Sequence, residues 1–245
     1  MGAWRWLALG FCILVVGLAV GLPIGTILFW LGRGIGSGEE LVIVWDAVLN
    51  SVVASSLAAL LAVLASLPVA VLAVRHRGAI ASLVDRASYA GYALPGIVIG
   101  LAFVFVGARY LPAVYQTLLL LLVAYLVRFV PEAVGVTRAS LLQVSPRLEE
   151  VARALGRSPA RVLRDVTIPI IRPGLVAGAA LVFLTAMKEL HITIMLAPTG
   201  FDTLAIRIWS ATSEGFFARA AAPALLMMVV ATASLGLVLR EEREP

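Results

Sequence analysis

Long apolar runs alternate with shorter polar segments along the whole chain. A run of about 20 apolar residues has the length that crosses roughly 30 Å of hydrocarbon as an α-helix. The sequence therefore predicts an all-α, polytopic membrane protein with six transmembrane helices. The six runs extend approximately over residues 6–31, 50–74, 88–108, 115–130, 175–196 and 220–239.

The composition agrees with this pattern. Of 245 residues, 62% are hydrophobic and 13% are charged, whereas soluble domains are about 45–50% apolar and about 25% charged. These values exclude a sizeable soluble catalytic domain, and we expect one membrane domain over residues 1–245. Cys12 is the only cysteine of the sequence, so an intrachain disulfide scaffold is excluded as well.

Nothing in the sequence predicts an enzyme. The single lysine, Lys188, follows Met187, whereas a phosphate-binding Walker A loop requires Gly-Lys-Ser/Thr. If ATP powers this protein, another chain must bind it. His76 lies in a basic turn and His191 is isolated in an apolar run, so we expect neither a metal-ligand cluster nor a Ser-His-Asp arrangement.

The arginines are distributed unequally between alternate ends of the runs. Cytoplasmic loops retain positive charge, so both termini are predicted to be cytoplasmic. The net charge of +5 is then explained by topology and by anchoring to the lipid bilayer, and we expect no nucleic-acid partner. Fourteen arginines lie on the predicted cytoplasmic side (Arg5, Arg75, Arg77, Arg86, eight from Arg128 to Arg172, Arg240 and Arg243) and four on the other (Arg33, Arg109, Arg207 and Arg219).

Two runs contain residues that disturb a simple apolar helix. Pro95 removes a backbone donor from the third run, which predicts a kink. Lys188 and Glu189 lie about halfway along the fifth run, where an exposed charge costs at least about 2.5–3.5 kcal/mol, so both must face protein or water. On a continuous helix, Lys188 and His191 would share a face. Two interpretations stay open: contacts between helices or subunits, or a translocation path lined by Lys188, Glu189 and His191.

The segment over about 130–173 is too long for a simple link between two membrane helices, and loops of this length are usually functional. Ser145-Pro146 is typical of a helix start. Gly156 lies where such a helix would end in the left-handed conformation. Between them, Leu148, Val151, Ala152 and Leu155 follow at i, i+3, i+4 and i+7, the spacing of one apolar helix face.

A second helix start follows at Ser158-Pro159, and Pro169 is expected to end this helix. Two short amphipathic helices joined at Gly156 are therefore predicted on the cytoplasmic side. The apolar face of the second helix is formed by Val162, Leu163 and Val166.

The spacing of this segment resembles that of a known family. Glu150-Val151-Ala152, Gly156 and Val166-Thr167-Ile168-Pro169 are similar to the EAA loop (Glu-Ala-Ala, Gly, Ile-x-Leu-Pro) of binding-protein-dependent ABC importer permeases, with conservative differences at three positions. The resemblance implies the six-helix core of type I importers and a coupling helix that docks into a groove on an ATPase. It assigns coupling to Glu150, Val151, Ala152, Arg153, Gly156, Arg157, Ser158, Pro159, Ile168 and Pro169.

The same resemblance implies the partners. ATP and Mg²⁺ would bind to separate ATPase subunits, and this chain would carry no cofactor. An extracytoplasmic substrate-binding protein would deliver the substrate. A second permease unit, either another copy or a similar half, would complete the translocation path in the inner membrane.

A finer resemblance, to ferric-iron-type permeases, covers Met187–Leu190, Pro198–Ala205 and Ile208-Trp209. Many of those permeases have Lys-Glu-Leu-Pro where this chain has Lys-Glu-Leu-His, so His191 is a departure. The resemblance implies iron(III) or a related metal or anion as substrate. Members of this subgroup are often fused duplicates of about twice this length, so the chain is expected to be one half-unit.

Two alternatives are a secondary carrier and a non-transporting membrane scaffold. A secondary carrier is expected to contain inverted repeats, with interrupted helices and ionisable residues in matching positions. Neither feature is repeated within this sequence, so the importer permease is the preferred interpretation.

Overall fold

A computed structural model describes residues 4–38, 45–76 and 78–241. Within these ranges the regular structure consists of twelve α-helices and one π-helical turn. Arg77 and Arg243, which contribute to the topology prediction, lie outside them. The helices are α1 (Trp4–Gly36), α2 (Trp45–Arg75), α3 (Ala79–Ser88), α4 (Ala90–Ala93), α5 (Gly96–Tyr110), α6 (Leu118–Gln143), α7 (Pro146–Ala154), α8 (Pro159–Val162), α9 (Ile168–Met187), α10 (His191–Leu196), α11 (Leu204–Ser213) and α12 (Phe217–Glu241), with the π-turn at Leu163–Thr167.

The predicted all-α membrane fold is confirmed. Five helical stretches of the described chain are long and apolar enough to cross a membrane, and a bent pair of helices over 79–110 supplies a sixth. The first, second and sixth predicted runs correspond to α1, α2 and α12. The third, fourth and fifth runs differ from the prediction, each for a physical reason given below.

The core is formed where α2, α6 and α9 pack against one another. Small side chains on α2, among them Ala58 and Ala62, are buried in the same cluster as Tyr125 and Phe129 of α6. Small residues let helix backbones approach closely in a membrane, where packing replaces the hydrophobic effect as the driving force. The buried hydroxyl groups of Ser66 on α2 and Thr137 on α6 lie 2.9 Å apart and join the two helices.

The third run belongs to a bent pair of helices over 79–110, so the predicted kink is confirmed, and the span begins earlier than the predicted residue 88. The two parts meet at an angle of 101°. Leu94 is extended (ψ 132°) because the ring of Pro95 disfavours the helical conformation in the residue before it. Nη1 of Arg128 donates hydrogen bonds to the carbonyls of Tyr92 (3.3 Å) and Leu94 (2.9 Å), which satisfies backbone groups at the break.

The fourth run does not end near residue 130. Helix α6 continues to Gln143, so the predicted loop over 130–173 is wrong in its bounds, and the link before α7 is only Val144-Ser145. Pro131 lies inside α6 and provides no N–H for the carbonyl of Val127. Arg128 therefore belongs to this membrane helix, although the topology prediction counted it with the cytoplasmic loops.

The fifth run is interrupted at 188–190. Helix α9 ends at Met187 and α10 begins at His191, so the prediction that Lys188 and His191 share one helix face is wrong. The Glu189 carboxylate accepts a hydrogen bond from the backbone N–H of Ile192 (3.2 Å), and this contact caps the start of α10. The break contains neither glycine nor proline.

Candidate functional site

Helix α7 and its end follow the sequence prediction. Ser145 occupies the N-cap position, although its hydroxyl makes no capping hydrogen bond, and Pro146 begins the helix. Gly156 has φ +86°. Its N–H donates to the carbonyl of Arg153 (2.9 Å), and the N–H of Arg157 donates to the carbonyl of Ala152 (3.2 Å). These two bonds form a Schellman motif, which requires the left-handed conformation that glycine adopts freely.

The second short helix begins as predicted but does not end at Pro169. Helix α8 starts at Pro159 and runs through the π-turn directly into α9. Pro169 lies in the first turn of α9, a position where the missing N–H is tolerated. Ser158 precedes α8 as its N-cap residue, and Ile168 begins α9. Single π-helical turns are frequent at functional sites.

The predicted apolar face of α7 divides into two parts. Ala152 is 7% exposed and faces the rest of the chain. Leu148, Val151 and Leu155 are 50%, 59% and 79% exposed, so these three form an uncovered apolar patch, which we call the α7 patch. Glu150 and Arg153 are exposed beside it. Arg157 is ion-paired with Asp165, with Nη1 and Oδ2 2.6 Å apart.

Glu149, which the sequence analysis did not single out, is the acidic residue that holds this segment. Its Oε1 accepts hydrogen bonds from Arg75 Nε (3.2 Å), Arg75 Nη2 (3.1 Å) and Thr167 Oγ1 (3.1 Å). The side chains of Arg75 and Glu149 are only 14% and 12% exposed. The two residues also line a cavity of about 660 Å³, which Glu150 and Arg153 border.

The residues predicted to line a translocation path lie where two helix breaks meet. Lys188 and His191 are exposed, and Glu189 is half-buried. Oε1 of Glu189 lies 3.0 Å from the position that a Cβ would occupy at Gly96, the first residue of α5. One carboxylate therefore lies at the N-termini of both α5 and α10, where helix dipoles favour negative charge.

A second acidic side chain, Glu132, lies near this point and was not predicted. Among the described residues, its Oε2 is buried without a hydrogen-bond partner. The side chains of Arg128, Lys188 and Thr185 lie near its carboxyl group. The predicted loop began at residue 130, which placed Glu132 outside the membrane. An acidic residue in the interior of a membrane helix is a strong signal of function, but this signal was hidden by the wrong helix boundary.

No three His, Cys, Asp or Glu side chains of the described ranges are grouped so that they could hold a metal ion. The cluster around the helix breaks is of mixed charge, with Arg128 and Lys188 opposite Glu132 and Glu189.

The described helices form a membrane bundle with two broken helices and a short two-helix segment between α6 and α9. Residues 58–240 match the family described as the inner membrane component of binding-protein-dependent transport systems. The chain belongs to this family, and it is an ABC importer permease.

Two curated relatives show the range of transporters to which the chain is similar. It is 38% identical over 226 residues to an Fe(3+)-transport system permease protein of Haemophilus influenzae, covering 91% of this chain and 44% of the relative. It is 32% identical over 200 residues to a putative 2-aminoethylphosphonate transport system permease protein of Salmonella paratyphi A, covering 81% of this chain and 74% of that protein. The chain thus spans less than half of the iron permease.

Solved structures share the fold. A bacterial alginate ABC transporter, crystallised with an alginate-bound periplasmic protein, superposes with a TM-score of 0.72 at 15% identity, covering 96% of this chain and 92% of the other. An inward-facing methionine ABC transporter superposes with a TM-score of 0.60 at 18% identity, covering 88% and 96%.

Proposed function

We propose that this chain is the permease subunit that forms a translocation path and couples it to a separate ATPase through α7 and α8. The α7 patch is the observation that carries the proposal. Short amphipathic helices normally bury their apolar side, and a contiguous exposed apolar patch indicates an interaction surface. Exposed Glu150 and Arg153 beside the patch supply the polar rim that such interfaces have.

The rest of the predicted coupling set supports the same proposal. Gly156 fixes the reversal between α7 and α8, Arg157 and Ser158 link the two helices, and Pro159 begins α8. Ile168 and Pro169 form the first turn of α9, whose residues Val182 and Ala186 belong to the core. A movement of α7 would therefore be transmitted through α8 and the π-turn to α9, which packs in the core.

The proposed orientation places α7, α8 and both termini in the cytoplasm, with the chain in the inner membrane. The support is the concentration of arginines around this segment, among them Arg147, Arg161 and Arg164, since positive charge is retained on the cytoplasmic side. This orientation exposes the α7 patch to the compartment that contains ATP. ATP and Mg²⁺ would act only on the partner ATPase.

Lys188 and His191 are proposed to face the translocation path, with Glu189 at its edge. A lysine would repel a bare metal cation but attract an anion or an anion-chelated metal. Two relatives are named as permeases for Fe(3+) and for 2-aminoethylphosphonate. A phosphonate is an anion and Fe(3+) can be carried as an anionic chelate, so a lysine in the path is compatible with both substrates. We therefore propose iron(III) carried as an anionic chelate, or a related anion, as substrate.

The proposed assembly contains two permease units, two ATPase subunits and an extracytoplasmic binding protein. One chain supplies one α7–α8 segment, whereas an ATPase dimer offers two grooves, and closed two-fold symmetry is the commonest arrangement of oligomers. The second unit is another copy or a similar half. The mass of the purified complex checks this stoichiometry, and a functional assembly with a single permease chain would contradict it.

Co-purification with the cognate ATPase tests the proposed function. The double variant Leu148→Ala/Leu155→Ala removes most of the α7 patch and should lose the ATPase, and Glu150→Ala should weaken the complex. The matched control is Leu142→Ala, since Leu142 is 65% exposed on α6 outside the patch. If the wild-type chain does not bind the ATPase, or if the double variant binds it as well as the control does, the proposal is wrong.

A further inference from the structure

Four parts of the chain meet at the ion pair between Arg75 and Glu149. Arg75 is the last residue of α2, and Glu149 lies on α7. Besides its bonds to Glu149, Nη2 of Arg75 donates to the carbonyls of Val144 (3.0 Å) and Leu141 (3.4 Å) at the end of α6. Thr167 of the π-turn donates to the same carboxylate oxygen. One pair of side chains therefore joins α2, α6, α7 and the π-turn.

The chemistry of the pair suits a rigid junction. A guanidinium keeps its charge and presents donors in a fixed planar arrangement, so it can bind a carboxylate and backbone carbonyls together. The last carbonyls of a helix lack full intrahelical pairing, and Arg75 donates to two carbonyls at the end of α6, those of Leu141 and Val144. Because both side chains are largely buried, removal of one leaves a charge that solvent compensates poorly.

Helix α7 follows α6 after the two-residue link Val144-Ser145. It packs against α8 and the π-turn, and three of its apolar side chains are uncovered. Among the described residues, the Arg75–Glu149 pair joins α7 to the end of α2 by hydrogen bonds. By comparison, the pair between Arg138 and Asp85 joins α6 to α3 and does not involve α7.

We propose that Arg75 and Glu149 are positioning residues that make α7 move as one body with α2 and α6, so that movement of a bound ATPase reaches the core. This inference rests on the proposed function, since it requires an ATPase on the α7 patch. Arg75 would not contact the ATPase or the substrate. Its loss should leave ATPase binding intact and separate nucleotide-driven movement of α7 from movement of α2.

The test compares Arg75→Met and Glu149→Gln with Arg75→Lys and with the control Arg138→Met, in proteoliposomes that contain the full transporter. Spin labels at Ala154 on α7 and Val53 on α2, in a Cys12→Ser background, report the distance between the two helices with and without ATP and Mg²⁺. We expect one narrow distribution in the wild type and in Arg138→Met, and a broad, nucleotide-dependent one in Arg75→Met and Glu149→Gln. Arg75→Lys should be intermediate, because it keeps the charge but not the planar set of donors.

Uptake of ferric citrate per ATP hydrolysed gives a second measurement. It should fall about ten-fold or more in Arg75→Met, within the usual range of coupling between sites, and should be unchanged in Arg138→Met. Unchanged distances in Arg75→Met with the ATPase still bound would overturn this inference alone. Failure of the wild type to bind the ATPase would instead overturn the proposed function. If Arg75→Met does not assemble, the distances in Glu149→Gln and Arg75→Lys decide.

Discussion

Gly91 lies directly against the backbone carbonyl of Val127. A Cβ at position 91 would come within 1.9 Å of that oxygen, so no other residue fits without movement of a helix backbone. The carbonyl is available because Pro131, four residues later, has no N–H to donate to it. A proline in α6 and a glycine in α4 therefore act together to fix the bent third span against the core.

Gly91→Ala should destabilise the folded chain. Forcing a methyl group into a closely packed contact typically costs about 1–3 kcal/mol, and here the obstacle is backbone that cannot rotate away. Thermal unfolding in detergent measures the effect. Gly21→Ala is the control, since a Cβ at Gly21 would meet nothing within 4 Å, and equal melting temperatures for the two variants would contradict the packing argument.

Gly156→Ala should impair coupling more than folding. Its φ of +86° costs an alanine about 1–2 kcal/mol, while space for the methyl group is free. Relief of this strain would reorient α7 relative to α8. We expect reduced uptake per ATP with normal assembly. Gly215→Ala is the matched control, because Gly215 has φ +83° and the same open space but lies away from α7. An equal loss of coupling in both variants would argue against a specific role for Gly156.

Lys188→Met should lower transport while assembly with the ATPase and basal ATP hydrolysis persist. The physical reason is the loss of the exposed cation at the helix breaks, which is proposed to attract an anionic substrate. Uptake of ferric citrate, with 2-aminoethylphosphonate as competitor, is the measurement. Arg109→Met removes another exposed cation, at the end of α5, and should be neutral. Wild-type uptake by Lys188→Met would exclude a path-lining role and leave a helix or subunit contact as its function.

Thr137→Val should weaken the contact between α2 and α6 only modestly. The variant removes the buried hydrogen bond to Ser66, and side-chain hydrogen bonds between membrane helices contribute about 0.6 kcal/mol on average and at most about 1.7 kcal/mol. Equilibrium unfolding in detergent micelles checks this. Thr26→Val provides the reference, because the Thr26 hydroxyl donates to the carbonyl of Leu22 within exposed α1. If Thr137→Val lowers the free energy of unfolding by more than about 3 kcal/mol relative to this reference, the Ser66–Thr137 pair does more than join two helices.

Local signals in the sequence predicted the parts of the structure that depend on backbone chemistry. Pro95 predicted the kink in the third span, Pro146 the start of α7, and Gly156 its left-handed end. Each of these residues restricts or frees φ by itself, so its effect hardly depends on distant parts of the chain. The span count was also accessible, because apolar runs of membrane length are a direct requirement of the bilayer.

Features that depend on tertiary contacts were not predictable from those signals. Pro131 would normally favour a helix end, but packing against Gly91 stabilises α6 through it. The break after Met187 has no glycine or proline to signal it, and the Glu189 carboxylate binds the backbone N–H of Ile192 after the break. The motif drew attention to Glu150, whereas Glu149 is the glutamate whose side chain is only 12% exposed. Its hydrogen-bond donors, Arg75 and Thr167, are distant in sequence, so local spacing does not reveal the contact.

Helix α1 contributes almost nothing to the packed core. Its apolar residues 4–23 are all exposed within the chain, and its contacts with the rest lie near its end, where Trp30 meets Phe217 and Gly34 meets Ala218. Within this chain, α1 is therefore stabilised by partition into lipid more than by side-chain packing. During synthesis, this segment leaves the ribosome before the residues of the core exist. It can therefore enter the bilayer without contacts from those residues.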